Sequence, residues 1–359
     1  MKNNIGSLTN EDYHEILKKN FITSNNFKVD QIQPSSIDLT LSEECYEISA
    51  SFLSISKNIR ESIKDVQIKK IDLTEKYLFI KNKTFIVKLN EKIDLPKNIF
   101  GFCNPKSSTG RLDIFCRTIL NHSDEYEKVP MNYKGEMFIE ITSRSFNIEL
   151  QKGDSLNQMR LIYNNHLYVT DNDLKKFHKK SFLTLDKKNN KIKPNLNNGL
   201  KISVDLSHKN LINAYVAKHN APSLCFNKIK SHKIENYWES IKLTSGNLTV
   251  ENNNFYILKS KEKIQVPQNM AGEMIPYDTG IGDFRVHYAG FFDPGFGSIK
   301  GSYAVLEVKT NEVPFKLEDG QTIARIKYEM LNKNTGILYG ENIKSNYQHQ
   351  NLALSKHFV

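Results

Sequence analysis

The stretch FIVKLNEKIDLPKNIFGFCNP, residues 85–105, returns in altered form as FYILKSKEKIQVPQNMAGEMIP, residues 255–276. Each is followed by a matching second segment, GEMFIEITSRSFNIELQKGDSLNQMRLIY (135–163) in the first copy and GSYAVLEVKTNEVPFKLEDGQTIARIKYE (301–329) in the second. Spacing carries the argument. Pro96 to Pro105 and Pro267 to Pro276 are both nine apart, and Glu140 to Gly153 and Glu307 to Gly320 are both thirteen apart. Such self-similarity marks a chain that repeats one structural unit. Upstream, SIDLTL (36–41) pairs with SVDLSH (203–208), which extends each unit to about 160 residues.

Within each copy, runs such as FIVKL, MFIEI, YAVLEVK and TIARIKYE gather β-branched and aromatic residues over short stretches bounded by Gly, Pro, Asn or Asp, the pattern of strands. Helical periodicity is confined to TNEDYHEILKK (9–19), with a cap and an acidic first turn, and more weakly to SFLSISKNIRESIKD (51–65). Many short strands with turn signals predict an all-β chain, a barrel or jelly-roll-like sandwich in each half with a few short helices. The expected domains are 1–174 and 200–359. Between them KKFHKKSFLTLDKKNNKIKPNLNNG (175–199), rich in Lys and Asn, reads as a solvated linker.

The chain of 359 residues has length enough for two cores, and 39% hydrophobic with 25% charged residues excludes wholesale disorder. A net charge of +10 favours an anionic partner, but the basic residues are interleaved with acidic ones, which suits a polyphosphate as well as a nucleic acid. Neither a signal peptide nor a membrane-spanning run is present, so a cytoplasmic protein with no membrane partner is expected. Cys45, Cys103, Cys116 and Cys225 form no C-x-x-C pair, which argues against a disulfide framework and a thiolate zinc site.

Four segments carry candidate chemistry. NPKSSTGRLDIF (104–115) offers two adjacent hydroxyls and a glycine flanked by Lys106 and Arg111, a cradle suited to phosphate oxygens. Such residues also populate ordinary turns for conformational reasons alone. Glu140 in MFIEI and Glu307 in AVLEV put a carboxylate at the same repeat position of an apolar strand, which is costly unless the group is paired or used, or faces solvent. HYAGFFDPGFG (287–297) ends in a turn that contains Asp293. The tail LYGENIKSNYQHQNLALSKHF (338–358) carries phenol and amide groups suited to folding over a ligand, although tails commonly fray.

In that order, the segments resemble the dCTP deaminase family, relatives of the trimeric dUTPases, over nearly the whole chain. The resemblance extends to the long tandem form of alphaproteobacteria. The residues that carry it are Q-P-x-S-x-D-L at 33–39, PKSSTGR, FFDPGF, the V-L-E strand and the closing tail. It implies phosphate and active-site roles for Ser107, Ser108 and Arg111, with Lys106 beside them. Asp293 falls on a sugar-reading aspartate and Glu307 on the general base. Tyr339, Tyr347 and Gln350 fall on ligand-contacting tail positions, and Asn346 stands where the family has a lysine.

The two copies depart from the family in complementary ways. The first keeps PKSSTGR but has Pro130 in place of the hairpin aspartate, whereas the second keeps FFDPGFG and VLEV but reads PYDTGIG at the cradle. In dUTPase-like trimers the phosphate motif of one subunit meets the hairpin of its neighbour. The expectation is therefore a composite site, with the cradle from the first copy and the hairpin, Glu307 and lid from the second. Glu140 is then a structural relic, or the base of a second site.

The implied reaction is hydrolysis of dCTP to dUTP and ammonia, with Glu307 acting first as base and then as acid. Arg111 is expected to help keep Glu307 ionised. Zinc deaminases use H-x-E and P-C-x-x-C elements, and neither occurs here. The resemblance implies a zinc-free reaction, with Mg²⁺ bound through the triphosphate, dTTP or dUTP as inhibitor or product, and a homo-oligomer. The rival readings are a dUTPase, a bifunctional deaminase and diphosphatase, and a non-catalytic nucleotide- or nucleic-acid-binding barrel. The last is disfavoured by the lack of dense aromatic strand motifs.

Overall fold

The computed structural model describes residues 5–275, 290–310, 312–341 and 347–359, together with the backbone of 284–286. PYDTGIG beyond Ile275, the start of the HYAGFFDPGFG segment and Asn346 lie outside the described residues.

Strand pairing repeats as the sequence does. In the first copy Thr84–Asp94 pairs antiparallel with both Leu41–Ile48 and Lys134–Ser143, and Ile99–Pro105 pairs with Asn157–Tyr163. In the second, Tyr256–Ile264 pairs with Ala214–Ala217 and Ser302–Thr310, and Met270–Ile275 pairs with Thr322–Met330. Register agrees as well: Glu140 lies opposite Ile86, and Glu307 opposite Ile257. Each copy is thus built on two main antiparallel sheets, the all-β architecture expected.

Both expected helices form. Asn10–Lys18 begins at Thr9 in a reciprocal capping box with Asp12, and Ile59–Val66 begins at Asn58 with Glu61 in the same role. The 175–199 segment differs from the solvated linker expected. Its start belongs to the helix Asp171–Lys180, and Thr184–Leu185 adds a strand beside Tyr256–Ile264. Within the segment Leu183 and Leu185 are buried, Leu183 in the second core, so two apolar anchors outweigh a polar composition.

The copies also share a core rather than meeting through a tether. Ala217, Leu224, Phe226, Trp238, Phe255 and Val305 of the second pack into the apolar cluster of the first, and Leu224–Cys225 extends the strand Ile148–Leu150 in parallel. At the seam Arg160 bridges Glu329 at 2.5 Å and Glu273 at 2.8 Å, and Glu329 also binds His166 and Ser7. All four cysteines are buried free thiols.

One contrast between the copies positions the site. On Lys134–Ser143 the residues Phe138 and Glu140 point away from the main core into a small cluster with Tyr46, Ile48, Ile59 and Ile63. The helix Ile59–Val66 therefore covers that face from within its own copy. On Ser302–Thr310 the equivalent face, carrying Val305, Glu307 and Lys309, is covered by the first copy instead: Val305 joins its core, and Lys309 reaches Asp113 at 3.6 Å.

Candidate active site

The cradle is a single tight turn. The strand Ile99–Pro105 leads through extended Lys106 into Ser107–Gly110, closed by Thr109 N to Lys106 O at 2.8 Å and Arg111 N to Ser107 O at 3.1 Å. Thr109 Oγ1 and Lys106 N both donate to the Leu156 carbonyl, which pins the turn to the sheet. Ser107 remains half-buried, whereas Ser108 and Arg111 are buried. Lys106 Nζ binds the Asp38 carboxylate and donates to Ser155 Oγ at 3.3 Å.

Arg111 is where the first copy meets the C-terminal tail. Its Nη2 donates to Gln350 Oε1 at 2.9 Å, its Nη1 donates to the Ala353 carbonyl at 3.0 Å, and its guanidinium lies 3.8 Å from the Tyr347 ring centroid. Planar stacking and a forked donor set suit arginine and not lysine. Nε, also buried, has no hydrogen-bond partner among the described residues. Gln350 is fixed in turn by donating to the Tyr303 carbonyl at 2.9 Å, on the strand that carries Glu307.

The Asp293 turn is held by Phe296 N to Asp293 O at 3.1 Å, with Gly295 at φ +90°. Aspartate first, proline second and a left-handed glycine third is type II turn chemistry, so the conformational reading of the motif holds. The side chain has a further use: Asp293 Oδ1 accepts from Ser35 N of the first copy at 3.1 Å. Burial, and then the charge of nearby Asp38, push its carboxyl up to about 7 against Ser35 and Lys106. Tyr339 packs beside it, with N donating to the Pro294 carbonyl and its ring 5.8 Å from that of Phe296. Burial chiefly, with the charge of Asp293, raises its phenol.

Glu307 is buried, and burial drives its carboxyl well above the ordinary range. The charge of Arg111 opposes that shift and Asp113 adds to it. Arg111 thus acts in the direction expected from the sequence, but desolvation outweighs it. Asp113 escaped the sequence reading although it follows the cradle directly in LDIF. It is fully buried at φ +54°, accepts from Ser145 Oγ at 2.6 Å and faces Lys309.

The structure thus gathers Lys106, Ser107, Ser108 and Arg111 from the first copy with Asp293, Glu307, Tyr339, Tyr347 and Gln350 from the second. Glu140 keeps other company. It is held by Arg117 at 2.6 Å, whose guanidinium stacks on Tyr126 at 3.7 Å, and its Oε2 is buried without a hydrogen-bond partner among the described residues.

Comparison with known proteins places the chain in a family. The family model for the 2'-deoxycytidine 5'-triphosphate deaminase N-terminal domain matches residues 4–165, and that for the C-terminal domain matches residues 170–358. The chain belongs to the dCTP deaminase family. It is similar to the crystal structure of 2'-deoxycytidine 5'-triphosphate deaminase from Agrobacterium tumefaciens, with 34% identity and a TM-score of 0.87 over 92% of this chain and 99% of that one. It is also 25% identical over 146 residues to the dCTP deaminase of Sulfurisphaera tokodaii, which covers 41% of this chain and 73% of the relative. No described helix is long and apolar enough to cross a membrane.

Proposed function

We propose that this dCTP deaminase family member hydrolyses dCTP to dUTP and ammonia at one composite site. The observation that carries the reading is the meeting of the Lys106–Arg111 turn with Asp293, Glu307 and the Tyr347–Gln350 tail within a single chain. Ser107, Ser108 and Lys106 bind the triphosphate through hydroxyls and an ammonium, as charge-assisted hydrogen bonding to phosphate requires. Asp293 accepts from the deoxyribose hydroxyl, and Tyr339 closes over that end.

Glu307 takes a proton from water as the water oxygen bonds to cytosine C4, delivers it to N3, and then passes the proton of the new C4 hydroxyl to the amine as the C4–N bond breaks. The departing group is ammonia and the base becomes uracil. A carboxylate made more basic by burial is a better proton acceptor, and positioned proton transfer of this kind contributes roughly 10² to 10⁴ in rate. Arg111, fixed by Tyr347 and Gln350, supplies positive charge that favours the ionised form of Glu307 against its burial.

Asp38 Oδ1 is buried beside Lys106 without a hydrogen-bond partner among the described residues, a hard oxygen suited to the hydration shell of Mg²⁺ carried by the nucleotide. Bound there, the ion would neutralise part of the triphosphate charge.

Incubation with dCTP and, separately, with dUTP tests the reading. Ammonia and dUTP should appear from dCTP, and dUTP should persist. Release of diphosphate from dUTP as the main activity would overturn it in favour of a dUTPase.

A further inference from the structure

The last residues of the chain bring to the site a cation, Lys356, to which the sequence reading of the tail gave no role. Ser355 Oγ donates to the Ser108 carbonyl at 2.9 Å, so the arm is bonded to the cradle itself. On the other side of Lys356, His357 Nε2 lies 2.7 Å from the Phe226 carbonyl, and the Phe358 ring packs against Tyr237 and Trp238. Lys356 N donates to the hydroxyl of Tyr347, whose ring stacks on Arg111. The backbone of Lys356 is thereby fixed from both directions.

Its half-buried side chain shares its surroundings with Lys106, Asp38 and Asp154. Burial first, and the charge of Lys106 second, hold the Lys356 ammonium below its ordinary range, while Asp38 and Asp154 pull it back up. Two ammonium groups that repel each other beside a serine cradle gain most from an anion that both can bind. Open space borders the partners of Lys106: a cavity of about 360 Å³, with Lys28, Asp30, Asp38, Lys152 and Ser155 in its lining, includes both groups bound by that ammonium. The tail position at which a lysine is expected is Asn346, and Lys356 stands ten residues further on.

We propose that Lys356 is a substrate-binding residue that, together with Lys106, clamps the terminal phosphate of the nucleotide, so that the C-terminal arm reads the length of the phosphate chain. This rests on the deaminase reading above and adds a determinant of triphosphate preference to it.

The test compares wild type, K356M, K356Q and K356R by ammonia release from dCTP, dCDP and dCMP, with thermal unfolding as a control for folding. K356M and K356Q should raise KM for dCTP about 10- to 100-fold, the range expected for loss of a charged hydrogen bond. The effect on KM should exceed that on kcat, the preference for dCTP over dCDP should shrink, and K356R should recover most of both. An unchanged KM, or an equal loss with all three nucleotides, overturns the clamp. Binding of inorganic tripolyphosphate by calorimetry separates the two ideas. If wild type binds it, the lysine variants bind it at least tenfold more weakly, and wild type releases no ammonia from dCTP, the deaminase reading fails and the clamp stands. Equal tripolyphosphate affinity in wild type and K356M removes the clamp and leaves the deaminase reading untouched.

Discussion

Arg111 Nη2 donates to Gln350 Oε1 at 2.9 Å, joining residues 239 positions apart in the sequence. The bond makes the lid a support for the cradle, because Gln350 is itself held by the strand that carries Glu307. Replacing Gln350 with Leu removes a charge-assisted acceptor without touching a proposed reacting group. We expect kcat/KM for dCTP to fall roughly tenfold. Arg111→Met, which also loses the stack on Tyr347, should cost roughly 10²-fold or more. Steady-state kinetics of both variants checks the order.

Glu307→Gln keeps the shape of the side chain and removes its basicity. Turnover should drop by about 10² to 10⁴, with dCTP binding retained in equilibrium measurements. Glu140→Gln should leave turnover within a few-fold of wild type, since Glu140 is engaged by Arg117 under the cover of its own copy. A loss of half the turnover sites in E140Q would instead reveal a second centre.

The pH dependence has a defined sign. Burial raises the Glu307 carboxyl, so the acid limb of kcat/KM should lie above the ordinary carboxylate range, activity falling as protonation removes the base. Asp113 raises that carboxyl further, so Asp113→Asn should move the limb to lower pH. Asparagine tolerates the positive φ at this position, which makes the variant a clean electrostatic probe. A limb displaced to higher pH in D113N would contradict the assignment.

The seam between the copies should fail in acid. Burial alone would raise the Glu329 carboxyl, but Arg160, His166 and Ser7 outweigh it and hold it at about 2. A depressed carboxyl contributes stability above its unfolded value, near 4.5, and loses that contribution as pH falls towards 2. Glu329→Gln leaves Arg160 short of a charged partner in the interior and should destabilise the protein by about 3 to 5 kcal/mol at neutral pH. The variant should also flatten the pH dependence across that window. Denaturant unfolding from pH 2 to pH 7 measures both effects.

Much of the architecture was legible because hydrophobic alternation and turn residues are local properties, and their recurrence at fixed spacing identified two copies of one strand framework. The cradle, the Asp-Pro-Gly turn and the carboxylate strand were legible for the same reason. The segment at 175–199 was misread because two buried leucines decide its fate, and composition averages them away. Asp113 and Lys356 were passed over because nothing in their neighbours along the chain signals that each faces a charged group from the other copy.

The sequence by itself determined the repeated all-β framework and which copy retains each motif. Only the tertiary structure decided that the outer face of the Glu307 strand meets the first copy, while the corresponding face around Glu140 is closed by the helix Ile59–Val66. Chain order fixes which side chains exist and how they alternate, but desolvation and charge pairing depend on neighbours brought close from hundreds of residues away. Those through-space terms separate two carboxylates at identical repeat positions, holding one against Arg117 and burying the other beside Arg111.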